Sequence, residues 1–453
     1  MKKFLFLGCL LIFVIELLAQ KHGTGAILND SQFRFVLKAP PLTRGDFAKL
    51  PVKFSLKKYA PEPGDQGTTS TCTGWAVSYS ARTVLAAVNH NWNRKLVTEN
   101  AFSPSFIYNQ IRNINGCNTG ASLVDALNVL KNEGTLPIRY FGYDCNRRVT
   151  KTDKKKAGLY RIREFRQIAN RYNKNKVLNI KKSISQKKPV IIGINCPDSF
   201  YDVKDVWQPT EKDYKNNSNG HALTVIGYDD KIYGGAVEVL NSWGKNWGNS
   251  GFAWIKYKDL QHFCVWAGEI LDKQNQNSFK ESAKIFLKRV NGKKIVLSKI
   301  NEYSSKVHSL KTGDAFQLFI ENESPAYLNL VSWDTTKVIK RLFPNSLLES
   351  SYLAYSKNYL IFPHENYAFQ VDSTKGVTHF LMIFSNKKLN LDKFLFSSGK
   401  SKKNFIPPLI KMIKSKLPDK STIDLINNNK LALNCYSKHD FLQPIFIDII
   451  NSR

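Results

Sequence analysis

A glycine- and tryptophan-rich segment, residues 241–252, reads Asn241-Ser242-Trp243-Gly244-Lys245-Asn246-Trp247-Gly248-Asn249-Ser250-Gly251-Phe252. Taken alone, this segment is consistent with a turn that carries two core tryptophans. It directly follows the apolar run Ala236 to Leu240, which is short and flanked by glycines, as is typical of a strand. Whether this segment has a structural or a catalytic role therefore depends on the residues upstream of it.

A histidine stands twenty positions upstream of Asn241, at the start of another strand-like run. This run reads Asn219-Gly220-His221-Ala222-Leu223-Thr224-Val225-Ile226-Gly227-Tyr228. An isolated histidine before a strand is usually structural or simply at the surface. It becomes a candidate general base only when a nucleophile and an orienting group accompany it.

The candidate nucleophile is Cys72, where a loop rich in Gly and Thr meets a predicted helix. The segment reads Gln66-Gly67-Thr68-Thr69-Ser70-Thr71-Cys72-Thr73-Gly74-Trp75-Ala76. Apolar residues then recur with helical spacing up to Val88, which predicts a helix from Cys72 to Val88. A helix N-terminus stabilises a thiolate. The alternative is that Cys72 is a small buried apolar residue.

The three segments, in this order, resemble the papain family of cysteine peptidases. The resemblance implies that Cys72 is the nucleophile, His221 its general base and Asn241 the residue that orients the imidazole. Gln66, six residues before Cys72, would donate its side-chain amide to the oxyanion hole. Such a nucleophile, base and orienter follow the logic of any catalytic triad.

The resemblance also implies residues on the substrate side. Trp243 would cover the Asn–His hydrogen bond, and Trp247 would line the leaving-group side of the cleft. Asn118, Thr119 and Gly120 resemble the family's loop beside its main specificity pocket. A disulfide between Cys117 and Cys145 is predicted on the same basis, with two unpaired thiols as the alternative.

Three departures point to a divergent bacterial branch of the family. Thr73-Gly74 separate the nucleophile from Trp75, and Thr69 replaces the family's paired cysteine. Thr119 replaces one glycine of the specificity loop. The lead before the domain is also too short for the family's long inhibitory pro-segment, so the sequence does not indicate how the enzyme is silenced.

The whole chain is predicted to be α+β, with a two-lobed papain-like domain over residues 50–272. A polar linker at 273–278 precedes an all-β, sandwich-like accessory domain at 279–453, whose period-two runs are typical of strands. Segments such as Gly313-Asp314 and Ser332-Trp333-Asp334 resemble a bacterial domain of unknown function.

The first nineteen residues predict a secretory signal peptide, since Lys2 and Lys3 precede an apolar run ending near Ala19. An uncleaved membrane anchor is the alternative. Residues 20–49 form a short lead without a pattern. The chain is therefore expected to be exported to the periplasm, the cell surface or the medium.

The formal charge of +31 comes from 67 Lys and Arg against 36 Asp and Glu. The lysines are spread over both halves, and no helix-turn-helix, zinc-finger or RNA-binding pattern is present, so we expect no nucleic-acid partner. The spacing of the seven cysteines shows no metal-ligand pattern, so neither a specific metal nor a cofactor is expected.

The predicted function is hydrolysis of peptide bonds in proteins or peptides, with the β domain as a contact for a surface or a protein partner. Two alternatives stay open. One is a catalytically silent binding protein on a peptidase fold. The other is a Cys-His acyltransferase such as a transamidase, although such enzymes commonly use Asp rather than Asn as the orienting residue.

Overall fold

The computed structural model describes residues 22–40, 50–114, 116–215, 219–273, 279–307, 310–356, 358–392 and 406–451. The predicted signal peptide lies outside these ranges, as does nearly all of the predicted linker at 273–278. The domain boundaries therefore stay predictions. Among the described residues, no helix combines the length and apolarity needed to span a membrane.

The first domain has a helical lobe built on one long central helix, residues 72–90. It begins as α2, continues through a π-helical stretch, Trp75–Arg82, and ends as α3. The α-helices of this domain are α1 (Asp30–Phe33), α2 (Cys72–Gly74), α3 (Thr83–His90), α4 (Arg94–Glu99), α5 (Pro104–Ile111), α6 (Leu123–Asn132), α7 (Ile138–Phe141), α8 (Lys151–Ala157), α9 (Lys176–Ser185) and α10 (Tyr257–Phe263). Short 3₁₀ turns occupy Lys57–Tyr59, Gly158–Tyr160 and Asp198–Phe200.

The central helix is buried on every side, because the helical lobe wraps it and the sheet lobe closes over its start. Val77, Ala81 and Leu85 recur at helical spacing and share one apolar cluster with residues of α5 and α6. Ser122 caps α6, since its side chain accepts a hydrogen bond from the Asp125 N–H. These contacts fix Cys72 at the buried first turn of a rigid element.

The second lobe is a seven-stranded antiparallel sheet. The strands of this domain are β1 (Ala26–Ile27), β2 (Lys53–Ser55), β3 (Ala121–Ser122), β4 (Ile162–Asn170), β5 (Val190–Cys196), β6 (Asn219–Asp229), β7 (Ala236–Leu240), β8 (Phe252–Lys256) and β9 (Cys264–Asp272). The sheet runs β4-β9-β5-β6-β7-β8, and β2 pairs with β6. The start of β6 faces the start of the central helix, so the cleft between the lobes lies there.

The second domain is a sandwich of two sheets. Its strands are β10 (Phe279–Arg289), β11 (Ser298–Lys299), β12 (Ser304–Val307), β13 (Ala315–Asn322), β14 (Ala326–Trp333), β15 (Lys340–Phe343), β16 (Tyr352–Leu353), β17 (Asn358–Phe362), β18 (Phe369–Gln370), β19 (Gly376–Ser385), β20 (Lys420–Ile426), β21 (Lys430–Ser437) and β22 (Leu442–Asn451). One sheet runs β17-β13-β10-β21-β20 and the other β11-β12-β22-β19-β14-β15, with β18 and β16 at their sides.

The two sheets share one apolar core, and a helix covers the back of the second sheet. Alternate residues of β13 point inward, as the period-two pattern predicts. The helix α11 (Ile406–Lys414) buries Leu409 and Ile413 against Val331 and Leu381. This cover explains why every residue of β14 is buried.

The predicted α+β class, followed by an all-β sandwich-like domain, is confirmed. The long periodic segments were predicted nearly to their ends. For example, the apolar run after Pro189 is β5, and the run from Thr378 to Phe384 lies within β19. The edge strand β4 and the pairing of β10 with β13 and β21 were not predicted, because their sequences mix charged and apolar residues without a clean alternation.

Candidate active site

Cys72 is fully buried at the first turn of the central helix, with Thr71 at the N-cap position. Burial raises the pKa of its thiol to about 11, and a backbone hydrogen bond at Ala222 opposes that shift only in part. In this arrangement the thiol is therefore neutral at physiological pH. The predicted thiolate requires that water or a charged partner reach the sulfur.

His221 lies at the start of β6 and is held by Asn241 at the end of β7. The two strands pair with Thr224 opposite Leu240, so the residues at their ends meet. His221 Nε2 lies 2.8 Å from Asn241 Oδ1, which also accepts the Ser242 N–H at 2.8 Å. Because this amide oxygen can only accept, Nε2 carries the proton and Nδ1 is the atom that can take one.

The imidazole is shielded from water by Trp243. The two rings stack with their centroids 4.6 Å apart, and Tyr201 stacks on the same indole at 4.7 Å. Burial lowers the pKa of His221 to about 4, against the raising effect of the Asn241 hydrogen bond. Within the described part of the chain, His221 Nδ1 is buried and has no hydrogen-bond partner.

Gln66 is oriented by Ser242, a residue that the sequence did not single out. The Ser242 hydroxyl donates to Gln66 Oε1 at 2.6 Å, which directs the amide nitrogen into the cleft. That nitrogen donates to Thr69 O at 2.6 Å and to Gly23 O at 3.1 Å. The predicted oxyanion donor thus already contacts a main-chain carbonyl from the N-terminal lead.

The lead fills the cleft. We call residues 22–39 the strap. Gly23 donates its N–H to Gly67 O at 2.9 Å, and its carbonyl accepts a second hydrogen bond, from Trp243 Nε1, at 3.0 Å. Gly25 donates to Gly220 O at 3.0 Å and accepts from the Ala121 N–H at 2.8 Å. The strap therefore touches the loops of the nucleophile, the base and the orienter at once.

Glycine is required at both strap positions because the cleft leaves no room for a side chain. A Cβ at Gly23 would lie 2.0 Å from Thr69 O, and one at Gly25 would lie 2.6 Å from the Ser70 side chain. Gly25 also has a φ of 153°. The sequence showed no periodic signal here, since these contacts are made by main chain.

The strap continues into β1, which pairs in parallel with β3 through Ala26 and Ala121. Leu28 then lies against Gly193 and Gly220, where a Cβ on either glycine would approach its side chain to 2.4 Å or 3.1 Å. An apolar side chain of the protein itself thus fills the apolar floor of the cleft.

The residues predicted for substrate contact have different surroundings in the structure. Gly120 borders the strap, since a Cβ there would lie 2.7 Å from Gly25 O. Thr119 accepts from Tyr108, while Asn118 is exposed. Trp247 is buried and donates its indole N–H to Phe200 O at 3.0 Å, so its role beside the leaving group stays a prediction.

Cys117 and Cys145 form a disulfide, with their Cα atoms 5.5 Å apart. The Ser70 N–H donates to Cys117 O at 2.7 Å, which ties the nucleophile loop to the disulfide loop. Cys196, Cys264 and Cys435 are buried cysteines outside this disulfide. In the described ranges, no group of three or more His, Cys, Asp or Glu side chains could hold a metal ion.

Two family models match parts of the chain. Residues 57–270 match the model described as papain family cysteine protease, and residues 309–388 match a domain of unknown function, DUF4384. An uncharacterized peptidase C1-like protein of Acanthamoeba polyphaga mimivirus is 25% identical over 227 residues, which are 45% of this chain and 69% of that protein.

Solved structures of cysteine proteases are similar to the first domain. Xylellain, a cysteine protease from Xylella fastidiosa, is 23% identical and has a TM-score of 0.47, covering 56% of this chain and 98% of its own. The proform of the ragweed pollen allergen Amb a 11, also a cysteine protease, is 18% identical with a TM-score of 0.42, covering 50% and 66%. Over residues 57–270 this chain is therefore similar to the papain family of cysteine proteases, and a match to DUF4384 follows at residues 309–388.

Proposed function

We propose that this chain is an exported cysteine peptidase that the strap holds in a closed, latent state. The observation that carries the proposal is the His221–Asn241 pair. It lies under Trp243 beside a cysteine at a helix N-terminus, with its second ring nitrogen unoccupied. A purely structural histidine in a core usually has both nitrogens satisfied.

The reaction follows from the roles of these groups. Once the strap leaves, water returns to the cleft and relieves the burial that keeps Cys72 and His221 neutral. The Cys72 proton passes to His221 Nδ1, and the thiolate attacks the substrate carbonyl carbon. Gln66 Nε2 and the Cys72 backbone N–H then stabilise the oxyanion.

Two bond exchanges complete the cycle. The carbon–nitrogen bond breaks as His221 returns its proton to the leaving amine, which leaves a thioester on Cys72. His221 then takes a proton from water, the resulting hydroxide attacks the thioester, and the carboxylic acid and free thiol are released. Asn241 keeps the imidazole in the required tautomer throughout, as an orienting residue does in other triads.

The test compares four chains that begin at Gln20: the parent, Cys72→Ala, Gly23→Val and the double variant Gly23→Val/Cys72→Ala. Each is assayed with a mixed fluorogenic peptide library at pH 5–8 with reductant. We expect cleavage by Gly23→Val, weaker cleavage by the parent and none when Cys72 is absent. If Gly23→Val reacts with an alkylating probe at Cys72 yet cleaves no peptide, the binding-protein reading replaces this proposal. Faster transfer to an added amine than to water would indicate a transferase.

A further inference from the structure

The far end of the strap leaves the cleft and reaches the border of the two domains. After Leu28 the chain forms α1, and Phe33 stacks on Trp266 of the sheet lobe at 5.3 Å. The strap then runs beside β4. Ala39 donates its N–H to Gln167 O at 2.9 Å, and the Gln167 N–H donates to Leu37 O at 2.7 Å. This end of the strap is therefore paired with the peptidase sheet.

Lys38 lies between Leu37 and Ala39, and its backbone N–H and C=O groups face the opposite side, toward the accessory domain. Its N–H donates to Leu348 O at 2.7 Å, and its carbonyl accepts from the Ser350 N–H at 2.9 Å. The same residue thus forms a parallel bridge with Gln167 on one side and with Glu349 on the other. We call the two hydrogen bonds of Lys38 to residues 348–350 the clasp.

The accessory-domain segment that carries the clasp is itself fixed to the peptidase. The Ser350 hydroxyl donates to Glu164 of β4. Arg166, 1% exposed, donates to Tyr352 O at 2.7 Å and pairs with Glu269 at 2.6 Å. Separation of the two domains would leave the Arg166–Glu269 pair intact but would take the Tyr352 carbonyl away from this buried guanidinium. A buried donor left without its acceptor is costly, so this hydrogen bond resists separation.

An apolar and aromatic patch adds to the same contact. Tyr327, Tyr352 and Tyr355 of the accessory domain cluster with Leu271 of β9. Tyr355 also donates to Glu269 Oε2 at 2.5 Å, and the Ser183 hydroxyl donates to the same oxygen at 2.7 Å. The segment 348–355 is therefore anchored by charge, hydrogen bonds and packing, while it holds the strap through main-chain bonds alone.

We propose that the DUF4384 domain regulates the peptidase by holding the strap closed through the clasp at Lys38. This inference rests on the proposed function. Because the strap is ordered from Gly23 to Ala39 by contacts along its whole length, the bonds at Lys38 add to the stability of the closed state. Any event that shifts segment 348–350 away from β4 weakens the hold and raises the fraction of open cleft.

The test measures the rate at which iodoacetamide labels Cys72 in the intact two-domain chain. Lys38→Pro removes the N–H that donates to Leu348 O, and Ser350→Pro removes the N–H that donates to Lys38 O. Lys38→Ala and Ser350→Ala keep both N–H groups and serve as matched controls. Each lost backbone hydrogen bond is expected to raise the labelling rate about 3- to 10-fold over the matched alanine variant. The comparison with Ser350→Ala removes the effect of the Ser350 hydroxyl, which both Ser350 variants lack.

A second measurement guards against variants that simply unfold. Hydrogen exchange of the Gly25 amide, which bonds Gly220 O, should quicken in both proline variants, while exchange at Val225 inside β6 stays slow. Loss of protection at both sites would instead mean a folding defect. If one proline variant has such a defect, the labelling rate and the Gly25 exchange rate of the other proline variant decide whether the clasp holds the strap.

The outcomes separate this inference from the proposed function. If Gly23→Val labels faster and both proline variants label like the parent, the strap blocks the cleft but the accessory domain does not hold it, and the inference fails. If all variants label at the parent rate, it fails as well, because the cleft is not gated. If the proline variants label faster yet no chain cleaves peptides, the clasp stands and the peptidase proposal fails.

Discussion

Replacing Gly23 by valine should expel the strap and expose Cys72. The new Cβ would lie 2.0 Å from Thr69 O and 2.6 Å from Thr68 O. Both oxygens belong to the backbone, so the overlap cannot be relieved by a change of side-chain rotamer. Overpacking of this kind costs about 1–3 kcal/mol. If Gly23 instead shifts away from Thr69 while the rest of the strap stays in place, the closed state loses the three hydrogen bonds of Gly23 to Gly67, Gln66 and Trp243.

Either route destabilises the closed state by a similar amount. Three hydrogen bonds at roughly 1 kcal/mol each give about 3 kcal/mol. Since about 1.4 kcal/mol corresponds to a factor of ten, the open population should rise about 100-fold. Burial raises the pKa of the Cys72 thiol to about 11 in the closed state, so alkylation proceeds almost entirely through the open state. The labelling rate should therefore rise by the same factor.

The assay is the rate of iodoacetamide labelling at pH 7.5, resolved by peptide mass spectrometry. The buried thiols of Cys196, Cys264 and Cys435 report any general loosening in the same sample. Gly158→Val is the matched control, because the nearest atom to its new Cβ is the Arg161 guanidinium at 3.4 Å. Labelling of Gly23→Val at the parent rate, or equal acceleration in Gly158→Val, would refute the reasoning.

Three further predictions address the base, its orientation and the disulfide. Acidification from pH 6.5 to 4 should open the cleft, because burial lowers the pKa of His221 to about 4, so the closed state binds fewer protons than the open one and loses up to ~3 kcal/mol of stability. Protection factors of the strap amides, which correct the exchange rates for the intrinsic effect of pH, check this at pH 6.5 and 4.5, and equal protection factors would count against it. In a strap-released chain, Asn241→Ala should lower kcat about 100-fold and leave KM nearly unchanged, because the 2.8 Å bond that orients the ring is lost; steady-state kinetics measure both, and a change in KM alone would contradict the role. Replacing Cys117 and Cys145 by serine should lower the unfolding free energy by roughly 3.5 kcal/mol, from the entropy of a loop closed across 28 positions; urea titration measures it, and an unchanged midpoint would exclude a stabilising cross-link.

The segments of the candidate site could be proposed from the sequence because their side chains are tied to chemistry. A base and its orienter must be His and Asn-like residues at the ends of paired strands, and the nucleophile must sit where a helix begins. Gly23 and Lys38, in contrast, act through their main-chain atoms. Nearly every residue has a backbone N–H and C=O, so no pattern of residue types predicts the contacts of Gly23 and Lys38.

The protonation state of the site also could not be predicted from the sequence. Cys72 and His221 imply an ion pair when the cleft is open to water. In the structure both groups are buried under the strap and neutral, since burial disfavours the charged forms of both. The same residues thus give a reactive or an unreactive site according to what covers them. Ser242 lies within the motif at residues 241–252, but the motif does not indicate that its hydroxyl orients the Gln66 side chain.

Because β4 is the terminal strand of its sheet, cutting the chain between its two domains would expose it. A terminal strand with unpaired N–H and C=O groups readily pairs with another copy of the chain. Here, Leu37 and Ala39 pair with β4 at Gln167, and residues 348–355 cover it. A chain cut between the domains would bare this strand together with Arg166. We expect the freed first domain to self-associate through this strand, which the accessory domain covers in the intact chain.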